Sequence, residues 1–76
     1  MVTLFSVRMP DGSELGWLYA LRRNEAEAFT AEALSDQYGD GLLLIETKRM
    51  TPQEARSDID RRKDQGLDLW WVGLAW

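Results

Sequence analysis

Residues 2–21, VTLFSVRMPDGSELGWLYAL, decide the fold, because they hold two β-rich segments on either side of a turn sequence. Pro10 presets the backbone for the second position of a turn, and Gly12 tolerates the positive φ that tight turns require. Apolar residues recur at every second position around this turn, which is the period of a β-strand. The stretch therefore predicts an antiparallel hairpin with a bulge near the turn.

The next element is a predicted helix over residues 25–38. Asn24 is a favourable N-cap, Glu27 stands at the acidic position of a capping box, and Gly39 suits the C-terminal cap. The apolar residues expected to face the core are Ala26, Phe29, Ala33 and Leu34.

The second half of the chain predicts a strand, a helix and a final strand. Residues 42–47 form an almost continuous apolar run, which is typical of a strand buried on both faces. Thr51 and Glu54 frame a capping box for a helix that ends at Gly66. This helix has few apolar residues, so we expect it at the periphery of the fold. Residues 67–76, LDLWWVGLAW, predict the last strand.

These elements give the order ββαβαβ and an α+β fold, with a four-stranded mixed sheet and two helices on one face of it. We expect a single domain over residues 1–76, because no linker, repeat or low-complexity segment interrupts the chain. The pattern leaves open whether the second and third strands are parallel and which sheet face is buried.

Composition excludes several classes of function. The chain has no Cys and no His, which removes thiolate chemistry, disulfides, and the commonest general base and metal ligand. Asp58 and Asp60 resemble the start of a calcium loop, but Arg62 and Lys63 occupy positions that such a loop cannot give to bases. We therefore predict no enzymatic activity, no metal site and no cofactor.

The charge and hydropathy of the chain also bear on partners and location. A formal net charge of −4 disfavours direct binding to nucleic acid or to anionic lipid. No apolar run approaches the ~20 residues that span a bilayer, and the N-terminus lacks the pattern of a signal peptide. We therefore expect a cytoplasmic protein.

Acidic residues are concentrated in one segment. Between Asn24 and Thr47 there are six acids and no Lys or Arg. Glu25, Glu32 and Asp36 are predicted to share the helix face opposite the core. Such an acidic ridge is suited to dock on a basic partner. The alternative is an ordinary solvated helix face.

Basic residues cluster where two strands end, at Arg22, Arg23, Lys48 and Arg49. If the two strands run parallel, their ends share one edge of the sheet with both helix N-termini, and this edge is a candidate anion site. The alternative is that these bases only keep the strand ends solvated.

The C-terminal aromatic residues form a third candidate. With both helices on one face, the other face of the sheet would expose Trp70 and Trp76. An exposed Trp-rich patch marks an interface, with a protein partner or with a second copy in a homodimer. The alternative is that the second helix and the C-terminus cover it.

Together these features favour a small acidic protein-binding module that inhibits, adapts or assembles a larger partner with a basic surface. Mobile-element inhibitors of nucleic-acid machinery, including anti-CRISPR proteins, are similar in size and charge, but no shared motif supports this analogy. The alternatives are a structural homodimer and an anionic-ligand site at Arg22, Arg23, Lys48 and Arg49.

Overall fold

The structure, a computed structural model, describes residues 1–74 of the chain. Its elements are β1 (Val2–Arg8), β2 (Glu14–Ala20), α1 (Arg23–Phe29), a π-helical segment (Thr30–Leu34), α2 (Ser35–Tyr38), β3 (Leu43–Met50), α3 (Pro52–Arg62) and β4 (Asp68–Val72). The predicted order and the α+β class are confirmed. Within residues 1–74, no helix is long and apolar enough to cross a membrane.

The four strands form one mixed sheet in the order β3-β1-β2-β4. β1 is antiparallel to both β2 and β3, whereas β2 and β4 are parallel. β2 and β3 therefore point the same way, although β1 separates them. The hairpin turn is as predicted: Gly12 has a φ of 94° and donates its N–H to the carbonyl of Met9, and the bulge lies between Val7 and Arg8.

The prediction that both helices lie on one face is wrong. Leu34 packs with Phe5 on one face, which we call the α1 face, whereas Ile59 packs with Leu4 on the opposite face, the α3 face. Handedness explains the difference. The connection from β2 to β3 and the connection from β3 to β4 cross the sheet in opposite directions. Connections of this type are right-handed in about 98% of cases, so two that run in opposite directions need opposite faces.

The prediction that the third strand is buried on both faces is also wrong. β3 is an edge strand, and the side chains of Leu43 and Ile45 are 45% and 47% exposed. The buried central position belongs to β1, whose Val2, Leu4 and Phe5 are almost fully buried. A short apolar run does not reveal strand order, because both edge and central strands can carry one.

The first predicted helix corresponds to the continuous run of α1, the π-helical segment and α2, which we call the first helix. It differs from the prediction at its start and in which residues face the core. It begins at Arg23 with Arg22 as the N-cap residue, and no side chain among residues 1–74 caps it, so Asn24 is not the N-cap. In the π-helical segment the backbone N–H of Ser35 donates to the carbonyl of Thr30. This wider turn changes the inward positions, so Thr30 and Leu34 are buried while Ala33 is exposed. Gly39, with a φ of 86°, ends the helical run as predicted.

The second predicted helix is α3, and it begins as its sequence predicts. The Thr51 hydroxyl accepts a hydrogen bond from the N–H of Glu54, and the Glu54 carboxylate accepts one from the N–H of Thr51, at 3.2 and 3.1 Å. α3 is nevertheless not peripheral. Ala55 and Ile59 are buried against the sheet, and Asp58 is only 4% exposed. Tyr19 is buried in the same cluster as Ala55 and Ile59, and the half-buried Trp17, Leu69 and Leu74 pack against this cluster.

Candidate functional site

The acidic surface is the pair Glu32 and Asp36, which lie one turn apart and exposed on the outside of the first helix. Neither carboxylate forms an ion pair with a residue in the part of the chain that the structure describes. Glu25, the third predicted member of the ridge, is half-buried at the end of β4, where a Cβ added to Gly73 would lie 2.5 Å from its Oε2. The structure therefore keeps two ridge residues together and places the third at the sheet edge.

The two helical layers differ in net charge. Residues 23–38 carry one base, Arg23, and four acids, and therefore a net charge of −3. α3 carries three acids and three bases, which cancel. Arg23 bonds Glu27 at 3.1 Å, so the only base of the first helix is itself paired. The acidic surface is therefore the largest uncompensated charge on either helical layer.

An aromatic cleft lies beside this helix at the edge strand β4. It measures about 210 Å³ and is lined by Phe29, Leu69, Trp70 and Trp71. Trp71 is 45% exposed, whereas Trp70 is half-buried on the α1 face. Leu69 packs on the α3 face, so the cleft extends around the edge of the sheet.

The aromatic site predicted from sequence is corrected by this geometry. Within residues 1–74 both faces of the sheet carry a helix, so this part of the chain has no open sheet face that presents Trp70 to solvent. What remains accessible is the edge, where Trp71 is the more exposed residue. Trp76 lies outside the described residues. The predicted homodimer interface depended on an uncovered sheet face, and the described part of the chain has a helix on each face.

Hydrogen bonding fixes one wall of the cleft. The Tyr38 ring meets Trp70 edge-on, with centroids 6.2 Å apart and planes at 77°. The Tyr38 hydroxyl donates to the Asp68 carboxylate at 2.7 Å, and this bond raises the pKa of Tyr38. Since β4 begins at Asp68, the bond ties the end of the first helical run to the edge strand. Trp70 is thereby held in a defined orientation.

Two of the four basic residues, Arg23 and Arg49, lie together where β2 and β3 end. Thr3 pairs with both Ala20 and Arg49, so the ends of β2 and β3 lie on either side of the start of β1. Arg23 and Arg49 line one cavity of about 320 Å³. The other two predicted members do not join them: Arg22 is exposed outside this cavity, and Lys48 lines a groove on the α3 face.

Each arginine of this cavity already has an acidic partner. Arg23 bonds Glu27 and Arg49 bonds Glu46, both at 3.1 Å. Arg23 also donates to the carbonyl of Leu44 at 3.3 Å. An anion would have to compete with these carboxylates, and Glu46 itself lines the cavity. The electrostatic basis for an anion site is therefore weakened.

The larger groove between β3 and α3 is of mixed charge. It measures about 610 Å³ and is lined by Lys48, Met50, Gln53, Glu54, Arg56, Ser57, Asp58, Asp60 and Arg61. Three bases and three acids among these residues offset one another, so the groove favours neither cations nor anions. Asp58 points into the protein interior instead, since its side chain is only 5% exposed.

A buried polar network under α3 was not predicted from the sequence. The Tyr19 hydroxyl donates to the Asp58 carboxylate at 2.6 Å, and Arg62 Nε donates to the same carboxylate at 2.9 Å. Arg61 also contacts Asp58. The Arg62 guanidinium lies 4.2 Å from the centroid of the Trp17 ring. Asp58 and Arg62, four residues apart on α3, therefore form the partly buried centre of a network.

The Tyr19 hydroxyl and the Asp58 carboxylate of this network have hydrogen-bond partners, which indicates a structural role, whereas the buried Trp17 Nε1 has no partner within residues 1–74. Burial raises the pKa of Tyr19, so its hydroxyl stays protonated and able to donate. The carboxylate it faces has both a donor and cations beside it, as a buried charge requires. The network could have been predicted from the sequence only by placing Tyr19 on a strand beneath α3. That placement requires knowledge of the strand order.

Comparison of the chain with protein-family models, with curated proteins and with solved structures finds no match.

Proposed function

We propose that this protein is a binding module that docks the acidic surface, Glu32 and Asp36, on a basic surface of a protein partner. The observation that carries this proposal is a contrast between carboxylates: Asp58, buried under α3, is paired with Arg61 and Arg62. Glu32 and Asp36 are exposed and form no ion pair within residues 1–74. Exposed charges of one sign accelerate association with an oppositely charged partner and help to select it.

The π-helical segment supports the same surface. π-turns within α-helices occur frequently at functional sites. Here the segment Thr30–Leu34 contains Glu32 and directly precedes the turn with Asp36. Leu34 anchors the segment in the core, so the two carboxylates are displayed from a fixed support rather than from a loop.

The mode of action that fits such a surface is the inhibition or adaptation of a nucleic-acid-handling protein, since these proteins carry basic surfaces. We propose that the protein acts in the cytoplasm and that it needs no cofactor. Direct contact with nucleic acid is disfavoured by the net charge of −4.

The test is affinity capture from the native host with three baits: the wild type, E32K/D36K and the control D60K/D64K. Both double variants change the formal net charge from −4 to neutral, so they are matched in overall charge. Asp60 and Asp64 are exposed residues in or just after α3. Circular dichroism of each bait verifies that it is folded.

We expect a protein that is retained by the wild type and by D60K/D64K but lost with E32K/D36K. Purified again, that protein must bind the wild type directly. Equal loss with both reversals would show that only net charge matters, and equal retention would show that the acidic surface is not the docking site.

A further inference from the structure

The sheet has two edges, and they are built differently. On β3, Lys48 and Arg49 stand near the end of the strand, and the register passes from Lys48 to Glu46 across a bulge. Charged side chains and bulges protect an edge strand from pairing with another chain. β4 has no Lys, Arg, Pro or bulge in Asp68–Val72. Within residues 1–74 it pairs with β2 alone, so one side of its backbone is unpaired.

Acidic and aromatic side chains both lie along the unpaired edge of β4. Asp68 and Trp70 lie on the α1 face, and Gly73 follows at the end of the strand with the Glu25 carboxylate against it. The strand residues that line the aromatic cleft, Leu69, Trp70 and Trp71, lie between Asp68 and Gly73 along the chain, and Phe29 forms the helical wall of the cleft. An acid, an aromatic cleft and a second acid therefore follow one another along the edge.

A strand that adds to this edge would place every second side chain on the α1 face. Three successive side chains of that kind, at positions i, i+2 and i+4, span about 13 Å, since strands rise about 3.3 Å per residue. β4 itself, from Asp68 to Val72, spans about 13 Å by the same rise, and the Glu25 carboxylate lies against the next residue, Gly73, within the reach of a long basic side chain. The outer two positions would meet the acids and the middle one would meet the cleft.

We propose that the β4 edge binds an extended segment of a basic protein partner, with the pattern basic-x-apolar-x-basic, by main-chain pairing. The apolar side chain enters the cleft between Phe29 and Trp70, and the bases face Asp68 and Glu25. Recognition of this kind takes its affinity from main-chain hydrogen bonds and its specificity from alternate side chains. The inference rests on the proposed function only in taking the partner to be a basic protein, and it uses a different surface.

The probe is a short synthetic peptide with the core Lys-Thr-Leu-Thr-Lys, and its matched control has the core Glu-Thr-Leu-Thr-Glu. Binding is measured by fluorescence anisotropy and by amide NMR of the full chain. We expect the acidic peptide to bind at least about tenfold more weakly, because like charges oppose each other at both ends. We expect amide shifts at residues 68–73 and at none of the residues of β3.

Main-chain pairing is tested by N-methylation. In a strand, N–H groups point alternately to the two sides, so only one alternate set can donate to β4. Two methylated versions of the basic peptide cover the two sets, and we expect one to lose binding and the other to keep it. Trp71→Thr, at an exposed and strand-compatible position, should weaken binding by about threefold to tenfold.

Equal binding of the basic and acidic peptides, or of both methylated peptides, would overturn the inference, as would shifts centred on β3. E32K/D36K should bind the basic peptide like the charge-matched control D60K/D64K. If the peptide binds as expected while the partner ignores E32K/D36K, the edge inference stands and the proposed docking surface fails. If the basic peptide does not bind as expected while partner binding depends on Glu32 and Asp36, the edge inference fails and the proposed docking surface stands.

Discussion

The two faces of the sheet use charged residues in opposite ways. On the α3 face, a carboxylate is turned inward: Asp58 is 4% exposed and is held by Tyr19 and Arg62. On the α1 face, the interior is apolar apart from Thr30, and the acids Glu32 and Asp36 are directed outward. Charge on one face therefore stabilises the fold, and charge on the other is available to a partner.

This contrast teaches that a count of charges does not locate a binding surface. α3 contains equal numbers of acids and bases among its eleven residues, yet the carboxylate of Asp58 is buried and paired inside the protein. The first helix holds fewer ion pairs and more accessible acid. The side of each helix that faces the sheet decides which acids remain free, and that side depends on the topology.

The largest expected effect is on the inward-facing carboxylate. Asp58→Ala should lower the free energy of unfolding by about 3–5 kcal/mol, because it leaves the Tyr19 hydroxyl and part of the Arg62 charge without their partner. Asp60→Ala, an exposed change on the same helix, should cost no more than about 0.5 kcal/mol. Urea unfolding of both variants measures the difference, and similar costs would contradict the structural role of Asp58.

The apolar interior of the opposite face is tested by neighbouring residues of the π-helical segment. Leu34→Ala should cost about 2–3 kcal/mol, since Leu34 is only 2% exposed and packs in the α1-face core. Ala33→Ser should change stability by no more than about 0.5 kcal/mol, because Ala33 is exposed. A larger loss for Ala33→Ser than for Leu34→Ala would mean that the helix presents a different face to the sheet.

The first helix and α3 also differ in N-terminal capping, for which we expect a smaller effect on stability. Thr51→Ala should cost about 1 kcal/mol, since it removes the side-chain acceptor that caps α3. Asn24→Ala should cost clearly less, because Asn24 lies inside the helix and caps nothing. Thermal unfolding of the two variants decides between them, and equal losses would restore Asn24 as a cap.

The same capping box gives the smallest effect, which depends on pH. The N–H of Thr51 holds the pKa of Glu54 below its ordinary value of 4.5. A lowered carboxyl pKa contributes stability above the unfolded-state value and loses it as the pH falls through the folded-state pKa. Glu54→Gln should therefore show a shallower loss of stability below about pH 4.5 than the wild type. Parallel pH curves for the two proteins would contradict this contribution.

The fold was predictable as far as local sequence determines it. The hairpin at Pro10 and Gly12 and the capping box at Thr51 follow from backbone chemistry of a few consecutive residues, and both are present. The placement of the helices and the edge position of β3 were mispredicted, because they depend on strand order. The rule of right-handed connections would have placed the helices correctly once the order β3-β1-β2-β4 was known.

The candidate site was predictable only in part for the same reason. Glu32 and Asp36 could be placed outside the helix from its period, but Glu25 could not be assigned to the sheet edge without knowing where β4 ends. Trp70 was identified as an aromatic site residue, yet its neighbour Trp71 is more exposed. Alternation along a strand tells which residues share a face, not which face is covered.

The central claim is that the outward acids of the first helix serve binding and not stability. Its most direct test is the kinetics of partner binding for the wild type and for E32K/D36K at low and high salt. Exposed charges act chiefly on the encounter rate and are screened by salt. We predict that wild-type association slows steeply as ionic strength rises, that E32K/D36K associates slowly at every salt concentration, and that both unfold at similar denaturant concentrations. An unchanged association rate in E32K/D36K would contradict the claim.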